Sequence, residues 1–327
     1  MSKIQNIGVL TSGGDSPGMN AAIRAVVRGS LYYKLKVTGI LRGYDGLINA
    51  DFIPMDGKSV ANIIQRGGTI LKTARCDEFR TPEGRAKAYK NLVESHIDAL
   101  VVIGGDGTFT GADIFSQEYD FPIIGLPGTI DNDLEGTDLT IGYDTAINTV
   151  VNAVDKIRDT AESHDRLFIV EVMGRDSGLI ALRSGIGVGA EAILIPEAKT
   201  GIDDLVHRVE HGRKDKASKI IVVAEGDEAG GAYNVGEILK EKFPHHDIRV
   251  SVLGHIQRGG SPSCADRVLA SRLGVAAVEG LLEGKSKVMA GQINKEIVFT
   301  PFSKAIKHID ATQVTPAWLK LAEILSL

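Results

Sequence analysis

The sequence has little of several features that mark specialised classes of protein. Only two of its 327 residues are cysteine, Cys76 and Cys264, and they stand far apart. This scarcity argues against a disulfide framework and against a structural zinc site. No uncharged apolar run approaches the roughly 20 residues that span a bilayer. The chain reaches a predicted strand within its first ten residues, which leaves no room for a signal peptide. We therefore predict a cytoplasmic protein without membrane partners.

An excess of basic charge is also missing. The chain has 37 lysine and arginine residues against 42 aspartate and glutamate residues, a formal net charge of −5. Proteins that bind nucleic acids normally carry a basic excess over at least one domain, so that class is disfavoured. Any anion that this protein binds must be held by locally gathered cations and backbone N–H groups.

What the sequence does contain is the composition and pattern of a globular α/β protein. Hydrophobic residues make up 43% and charged residues 24%, near the averages for soluble domains. Short runs rich in Val and Ile alternate with longer helical patterns, as in doubly wound parallel sheets. The predicted strands are 7–10, 99–103, 123–126, 167–172, 192–195, 220–224 and 250–253. The predicted helices are 17–33, 145–160, 203–214 and 265–283.

Glycine residues, 38 in all, gather directly after the predicted strands. Ligands of open parallel sheets bind beyond the carboxyl ends of the strands. The first such turn, Gly13-Gly14, stands before a predicted helix and suits a phosphate. An ordinary strand-to-helix turn explains that segment equally well, so both interpretations remain open.

Two further loops carry acidic residues. Gly104-Gly105-Asp106-Gly107-Thr108 follows a hydrophobic strand, where one carboxylate can hold Mg²⁺ against phosphate oxygens. Asp131 and Asp133 follow another strand, in Pro127-Gly128-Thr129-Ile130-Asp131-Asn132-Asp133. Phosphoryl transfer to an alcohol needs a group that accepts the hydroxyl proton and another that orients metal or substrate. A solvated acidic turn is the alternative, and the neighbouring acidic glycine loop favours catalysis.

Arginines mark two more strand ends. The segment after Arg166 ends in Met173-Gly174-Arg175, and the one after Arg249 ends in His255-Ile256-Gln257-Arg258. Guanidinium groups match phosphate oxygens in pairs of hydrogen bonds. A single arginine more often forms an ion pair at the surface, but two arginines that each stand beside glycine at a strand end favour an anion site.

Some similar patterns do not qualify. The Gly-Lys-Ser sequences at 57–59 and 284–286 lack the glycine that a Walker A motif needs five positions earlier. The glycine-rich stretch at 185–190 follows a helical pattern and not a strand, so it is interpreted as close packing or a turn.

Six motifs follow one another with nearly unbroken spacing along most of the chain. They are GVLTSGGDSPGMNAAIR, IGGDGT, PGTIDND, VEVMGR, VLGHIQRGGSP and DRVLASRLG. In this order they resemble the family of bacterial ATP-dependent 6-phosphofructokinases. The resemblance implies transfer of the γ-phosphoryl group of Mg-ATP to the 1-hydroxyl of fructose 6-phosphate, a step of glycolysis that yields fructose 1,6-bisphosphate and ADP.

The resemblance also implies roles for individual residues. Asp131 would accept the hydroxyl proton, Arg175 would stabilise charge on the transferring phosphoryl group, and Thr129 and Asp133 would assist. The implied ATP site is Gly14, Arg75, Cys76, Gly105, Asp106, Gly107 and Thr108, with Asp106 on Mg²⁺. The implied sugar site is Thr129, Ile130, Asp131, Arg166, Met173, Gly174, Arg175, Glu225, Arg249, His255, Ile256, Gln257 and Arg258.

In this family Arg166 and Arg249 would reach the 6-phosphate of a neighbouring subunit, so the resemblance implies a homotetramer with shared sites. It further implies two Rossmann-like doubly wound domains with mainly parallel sheets and the active site in the cleft between them. Residues 1–141 and 255–304 would bind ATP, and residues 142–254 and 305–327 would bind fructose 6-phosphate.

The resemblance bears on the donor and on regulation as well. Relatives that use pyrophosphate carry an acid at the position of Gly107 and a lysine at that of Gly128, so glycine at both favours ATP. An effector site for ADP or phosphoenolpyruvate is implied at Arg24, Ala25, Val26, Val27, Arg28, Arg158, Gly189, Ala190, Glu191, Lys214 and Lys216. One arginine of the family's effector site falls at Gly57, beside Lys58, which predicts an intact or weakened effector site.

Three alternatives stand beside this prediction. One is a pyrophosphate-dependent phosphofructokinase. Another is a kinase of lipids or NAD that shares the Gly-Gly-Asp-Gly loop, although it would leave GHIQRGGSP and VEVMGR unexplained. The third is a non-catalytic sugar-phosphate sensor, which would be expected to lack Asp106 or Asp131.

Overall fold

The protein is described by a computed structural model that covers residues 4–162, 166–198, 202–211, 219–306 and 314–325. These residues form two compact units. The first unit contains the described residues up to Thr145 and those from Arg258 to Ile306. The second contains those from Ala146 to Gln257 and those from Val314 onwards. Boundaries predicted after residues 141 and 254 lie a few positions earlier, and the ligand assigned to each domain stays a prediction.

The first unit is built on an eight-stranded sheet. Its strands are β1 (Asn6–Thr11), β2 (Lys36–Ile40), β3 (Phe52–Met55), β4 (Ala99–Gly104), β5 (Ile123–Thr129), β6 (Ile141–Gly142), β11 (Val288–Ile293) and β12 (Glu296–Pro301). The strand order is β12-β11-β5-β4-β1-β2-β3, and β6 pairs with β5. Only the edge strands β3 and β12 run antiparallel to their neighbours. The central strands β1, β4 and β5 are therefore adjacent, and their carboxyl ends lie at one edge of the sheet.

Helices cover both faces of this sheet. They are α1 (Met19–Tyr32), α2 (Tyr44–Asn49), α3 (Pro82–Glu94), α4 (Asp106–Tyr119), α9 (Cys264–Leu282) and α10 (Phe302–Ala305), with a 3₁₀ turn at Glu78–Arg80. Apolar residues of α1 and α9 pack on one face, and Phe109 and Phe115 of α4 pack on the other. Every residue of β1, β4 and β5 is buried, as expected of strands covered on both faces.

Local sequence signals fix several helix starts. Thr81 accepts a hydrogen bond from Gly84 N–H at the start of α3, and Ser263 accepts one from Asp266 N–H at the start of α9. Helix α1 begins at Met19, two residues later than predicted. The reason is Gly18, whose φ of 109° keeps the preceding turn out of the helical conformation.

The second unit has a four-stranded parallel sheet in the order β10-β7-β9-β8. Its strands are β7 (Leu167–Val172), β8 (Ala192–Leu194), β9 (Lys219–Ala224) and β10 (Ile248–Val252). Its helices are α6 (Leu179–Gly187), α7 (Ile202–His211), α8 (Gly231–Lys242) and α11 (Pro316–Leu325). Helix α5 (Tyr143–Glu162) begins in the first unit and continues in the second. The predicted α/β class with mainly parallel sheets is confirmed.

Candidate active site

Three loops meet at the carboxyl ends of β1, β4 and β5. Ser12 N–H, after β1, donates to the carbonyl oxygen of Ile103 in β4 at 3.0 Å. A Cβ atom added to Gly13 would lie 3.4 Å from Thr108 Oγ1, and one added to Gly105 would lie 3.4 Å from Thr129 Cβ. The predicted phosphate turn, the acidic glycine loop and the Asp131 loop are thus in direct contact.

The glycine loop after β4 opens directly into helix α4, which starts at Asp106. Gly104 has to be glycine, because an added Cβ would come within 2.5 Å of the carbonyl oxygen of Ser12. A Cβ on Gly107, by contrast, would meet no atom within 4 Å. The first turn of α4 therefore presents backbone N–H groups, the positive end of the helix dipole and the Asp106 side chain beside open space, an arrangement suited to a phosphate and its cation.

The loop after β5 carries the two predicted catalytic carboxylates. Ile130 is completely buried, Asp131 is only 8% exposed, and Asp133 is half-buried. The backbone N–H of Asp131 donates to Thr129 Oγ1 at 3.2 Å. Asp131 is therefore held in a confined position, as a base that must meet one particular hydroxyl group should be.

Arg258, which was predicted to contact the sugar phosphate, belongs to the first unit, in line with its predicted place among residues 255–304. Its Nη1 atom donates to the carbonyl oxygen of Asp15 at 3.3 Å, and its guanidinium lies against Gly14. A side chain on Gly14 would collide with this guanidinium. The structure thus adds a cation to the turn after β1.

Arg75 and Cys76 stand apart from these contacts. Arg75 is exposed, and Cys76 is half-buried against the aromatic core of the first unit. Among the described residues no hydrogen bond or ion pair joins either side chain to the three loops. Burial raises the pKa of the Cys76 thiol, so this cysteine is not activated as a thiolate.

In the second unit, the ends of β7 and β9 hold a second group of predicted residues. Glu225 accepts a hydrogen bond from Arg175 N–H at 2.8 Å, and Gln257 Oε1 accepts one from Met173 N–H at 3.3 Å. Arg175 has a left-handed φ of 56°, directly after Gly174. Backbone strain of this kind in a non-glycine residue is common at functional sites. The side chains of Arg175, Glu225, His255 and Ile256 are exposed.

Arg166 and Arg249 converge on one carboxylate, that of Asp247. Arg166 Nε donates to Asp247 Oδ2 at 2.6 Å, and Arg249 Nε lies 2.8 Å from Asp247 Oδ1. The hydrogen bond from Arg166 is the main reason that the pKa of Asp247 lies below its usual value. Asp247 gathers the two guanidinium groups at the amino-terminal ends of the neighbouring parallel strands β7 and β10.

The predicted effector residues fall in both units. In α1, Arg24 is half-buried and Arg28 exposed, whereas Ala25, Val26 and Val27 are buried core residues whose side chains do not face solvent. In the second unit, Arg158 donates to the carbonyl oxygen of Val188, beside Gly189 and Ala190, and Glu191 accepts a hydrogen bond from Ile220 N–H. Lys214 and Lys216 lie outside the described residues.

Three polar residues of this architecture were missed from the sequence. Asn132 and Thr140 bond to each other and brace the Asp131 loop. Asp247 orders the two arginines described above. For Asn132 the only available signal was its place between two aspartates. For Thr140 and Asp247 there was none, because their bonds to Asn132 and to Arg166 form only when the chain has folded.

Together, the doubly wound sheets and the acidic, glycine-lined loops define an α/β protein with a helix N-terminus suited to phosphate and a nearly buried carboxylate beside it. Comparison with known proteins names the group. The family model described as phosphofructokinase matches residues 6–281. The chain therefore belongs to the phosphofructokinase family, and the predicted resemblance is confirmed.

Curated relatives and a solved structure agree with this assignment. The chain is 59% identical over 309 residues to "ATP-dependent 6-phosphofructokinase 2" of Bacteroides thetaiotaomicron, covering 94% of this chain and 95% of that protein. It is 52% identical to "ATP-dependent 6-phosphofructokinase 1" of Thermus thermophilus, covering 99% and 100%. The structure of phosphofructokinase from Saccharomyces cerevisiae superposes with a TM-score of 0.88 at 37% identity. The alignment covers 98% of this chain but only 48% of that longer chain. Among the described residues, no helix is long and apolar enough to cross a membrane.

Proposed function

We propose that this chain transfers the γ-phosphoryl group of ATP to the 1-hydroxyl of fructose 6-phosphate. It is a 6-phosphofructokinase. The observation that carries the proposal is the juxtaposition of the Asp131 loop with the glycine loop of Asp106, through the contact of Gly105 with Thr129. A nearly buried carboxylate stands beside a helix N-terminus that suits phosphate, which is the pairing that phosphoryl transfer requires.

In this mechanism Asp131 accepts the proton of the 1-hydroxyl as the hydroxyl oxygen attacks the γ-phosphorus. The bond from the γ-phosphorus to the β,γ-bridging oxygen breaks, and ADP leaves with that oxygen. Thr129 supports Asp131 through the hydrogen bond from Asp131 N–H to Thr129 Oγ1. Asp133 orients the reacting groups from the same loop. Arg175 neutralises charge that develops on the transferring phosphoryl oxygens, a role to which an exposed guanidinium on a strained turn is suited.

The residues present fit a magnesium ion bound with the nucleotide. Mg²⁺ is usually held by one or two carboxylates together with substrate phosphates and water. Asp106 at the start of α4 offers such a carboxylate, and no cluster of three or more metal-ligating side chains occurs in the described part of the chain. Asp106 would hold the ion, which supplies charge neutralisation at the phosphate oxygens.

Glycine at two positions supports ATP as the donor. The Cα of Gly107 faces open space, which leaves room for a nucleotide beyond its terminal phosphates. Gly128 is crowded, since an added Cβ would lie 2.9 Å from Ile103 Cγ2 and 3.2 Å from Met19 Cε. A lysine at 128, as in the pyrophosphate enzymes, would require these neighbours to move.

For binding of fructose 6-phosphate we assign chiefly residues of the second unit, together with Arg258 of the first. Arg166 and Arg249, gathered by Asp247, bind the 6-phosphate of a neighbouring subunit, so the enzyme works as a homotetramer with shared sites. Met173, Gly174, Glu225, His255 and Arg258 contact the sugar phosphate. Arg258 also lies against the turn at Gly14, which gives this residue contact with the predicted nucleotide loop as well.

Regulation by ADP or phosphoenolpyruvate is assigned to Arg24, Arg28, Arg158 and Glu191, with Lys214 and Lys216. Gly57 replaces one arginine of the family's effector site, and a Cβ there would meet no atom within 4 Å. The exposed Lys58 beside it offers a partial substitute. Titration of phosphoenolpyruvate against activity tests this assignment. Absence of inhibition at every fructose 6-phosphate concentration would overturn it.

The function itself is tested by initial rates of fructose 1,6-bisphosphate formation with Mg²⁺ and either ATP or pyrophosphate. Turnover with ATP alone is expected. Turnover with pyrophosphate alone would keep the fold and the base but refute the donor. The absence of turnover with either donor would favour a sugar-phosphate sensor instead.

A further inference from the structure

Asn132 lies between the two carboxylates of the catalytic loop and is itself 2% exposed. Its φ is 52°, the left-handed conformation that asparagine tolerates better than most residues. A residue in this conformation reverses the local course of the backbone. The directions of Asp131 and Asp133 therefore depend on how Asn132 is held.

Both ends of the Asn132 amide are bonded to a neighbouring segment. Oδ1 accepts a hydrogen bond from Thr140 N–H at 2.7 Å, and Nδ2 donates to the carbonyl oxygen of Asp138 at 3.2 Å. Thr140 returns a bond to the other side of the loop, because its Oγ1 donates to the carbonyl oxygen of Thr129 at 2.7 Å. Asn132 and Thr140 thus join the catalytic loop to residues 138–140 at both of its ends.

The segment that holds the loop is itself fixed. Immediately after Thr140, strand β6 pairs with the end of β5, Ile141 opposite Gly128 and Gly142 opposite Thr129. Asp266, on α9, accepts hydrogen bonds at 2.8 Å from the backbone N–H groups of Gly142 and Thr145. Because this segment is anchored to a helix of the same unit, it can transmit rigidity to the loop.

We propose that Asn132, assisted by Thr140, is a positioning residue that orients the Asp131 carboxylate for proton transfer. The proposal rests on the function proposed above. Displacement of a catalytic group by about 1 Å can lower a rate by roughly 100-fold. Removal of the Asn132 amide is expected to broaden the range of Asp131 orientations while the rest of the substrate sites stays intact.

The first test is Asn132→Gly, because glycine accepts the left-handed φ while the substitution removes the buried amide and its hydrogen bonds. We expect kcat to fall about 10- to 100-fold, with less than about a threefold change in KM for ATP and fructose 6-phosphate. The matched control is Asn62→Gly. Asn62 also has a left-handed φ, of 55°, but is exposed, and in the described part of the chain its side chain makes no hydrogen bond. This control should keep wild-type kinetics.

A double-mutant cycle separates positioning from general structural damage. In an Asp131→Asn background, Asn132→Gly should lower the residual kcat by less than about threefold, because the group that it positions is already disabled. An equal loss in both backgrounds would overturn the proposal. A wild-type kcat for Asn132→Gly would also overturn the proposal, provided that the unsubstituted enzyme is active.

Thr140→Val keeps the test decisive if Asn132→Gly fails to fold. This substitution preserves the backbone N–H bonded to Asn132 and removes only the bond to Thr129. A lowered kcat at an unchanged melting temperature supports the proposal, and an unchanged kcat overturns it. Failure of the parent enzyme with both donors would instead refute the proposed function, so the two failures are distinguishable.

Discussion

The two units hold their charged side chains in different ways. In the first, Asp131 and Asp266 are nearly or fully buried. Asp131 N–H donates to Thr129 Oγ1, and the Asp266 carboxylate accepts from Gly142 N–H. In the second, Arg175, Glu225 and Arg249 are exposed, and Arg166 and Arg249 are paired through the partly exposed Asp247. A buried carboxylate already has a fixed orientation before substrate binds, which suits catalysis. Exposed cations can exchange one anion for another, which suits substrate binding.

This contrast predicts its largest effect for Asp131→Asn. Loss of a general base typically lowers kcat by about 10²–10⁴-fold, and the sugar should still bind, because the proposed phosphate ligands Arg166 and Arg249 are unchanged. Steady-state kinetics with ATP and fructose 6-phosphate measure both quantities. Asp155→Asn, on the exposed face of α5, is the control. A nearly wild-type kcat for Asp131→Asn would refute the role of Asp131 as the base.

Asp266→Ala should instead destabilise the first unit. The carboxylate accepts three hydrogen bonds, from Gly142 N–H, Thr145 N–H and Thr145 Oγ1, in a fully buried position. Leaving such donors unpaired costs about 3 kcal/mol of the free energy of unfolding. Thermal and denaturant unfolding report this loss. An unchanged unfolding midpoint would show that the hydrogen bonds of the buried Asp266 carboxylate do not stabilise the first unit.

Arg249→Ala should raise KM for fructose 6-phosphate about 10- to 100-fold, the equivalent of a lost hydrogen bond to a charged group. The kcat should change less, because the phosphate is bound in the ground state and in the transition state alike. Lys240→Ala is a suitable control, since Lys240 is another exposed cation of the second unit, paired with Glu237 at 2.8 Å. If KM is unchanged, Arg249 does not contact the 6-phosphate.

The smallest effect concerns pH. Because the folded state lowers the pKa of Asp247, its pairing stabilises the protein above the unfolded value, about 3.9, and this contribution is lost as the pH falls through the folded value. Melting temperatures of Asp247→Asn should therefore lie slightly below wild type near neutral pH and converge with it under strong acid.

The contribution of Asp266 to stability depends on pH in the opposite direction. Burial raises its pKa, so its contribution to stability falls as the pH rises through the range between the unfolded and folded pKa values.

For Asp247→Asn, a difference in melting temperature from wild type that grew in acid would contradict the assignment of the Asp247 pairs.

The sequence alone predicted all of the strands with continuous apolar runs. It missed β2, β3, β6, β11 and β12, most of which lie towards the edges of the large sheet and have interrupted burial. Helix α4 was also missed, because it contains two glycines and several poor helix formers. Its position is fixed instead by packing of Phe109 and Phe115, and helices of this kind are stabilised mainly by tertiary contacts.

The family, the parallel α/β architecture and the nature of the reaction could be predicted from the sequence, because motifs and strand patterns are local and their order is fixed in the chain. The residues that hold the reactive ones in place became visible only in the folded structure. Thr140 reaches Asn132 across a turn, Asp247 reaches Arg166 across 81 positions, and Asp266 reaches Gly142 across 124. Such bonds join backbone and side-chain groups that only the folded chain brings together, so no pattern along the sequence could have predicted them.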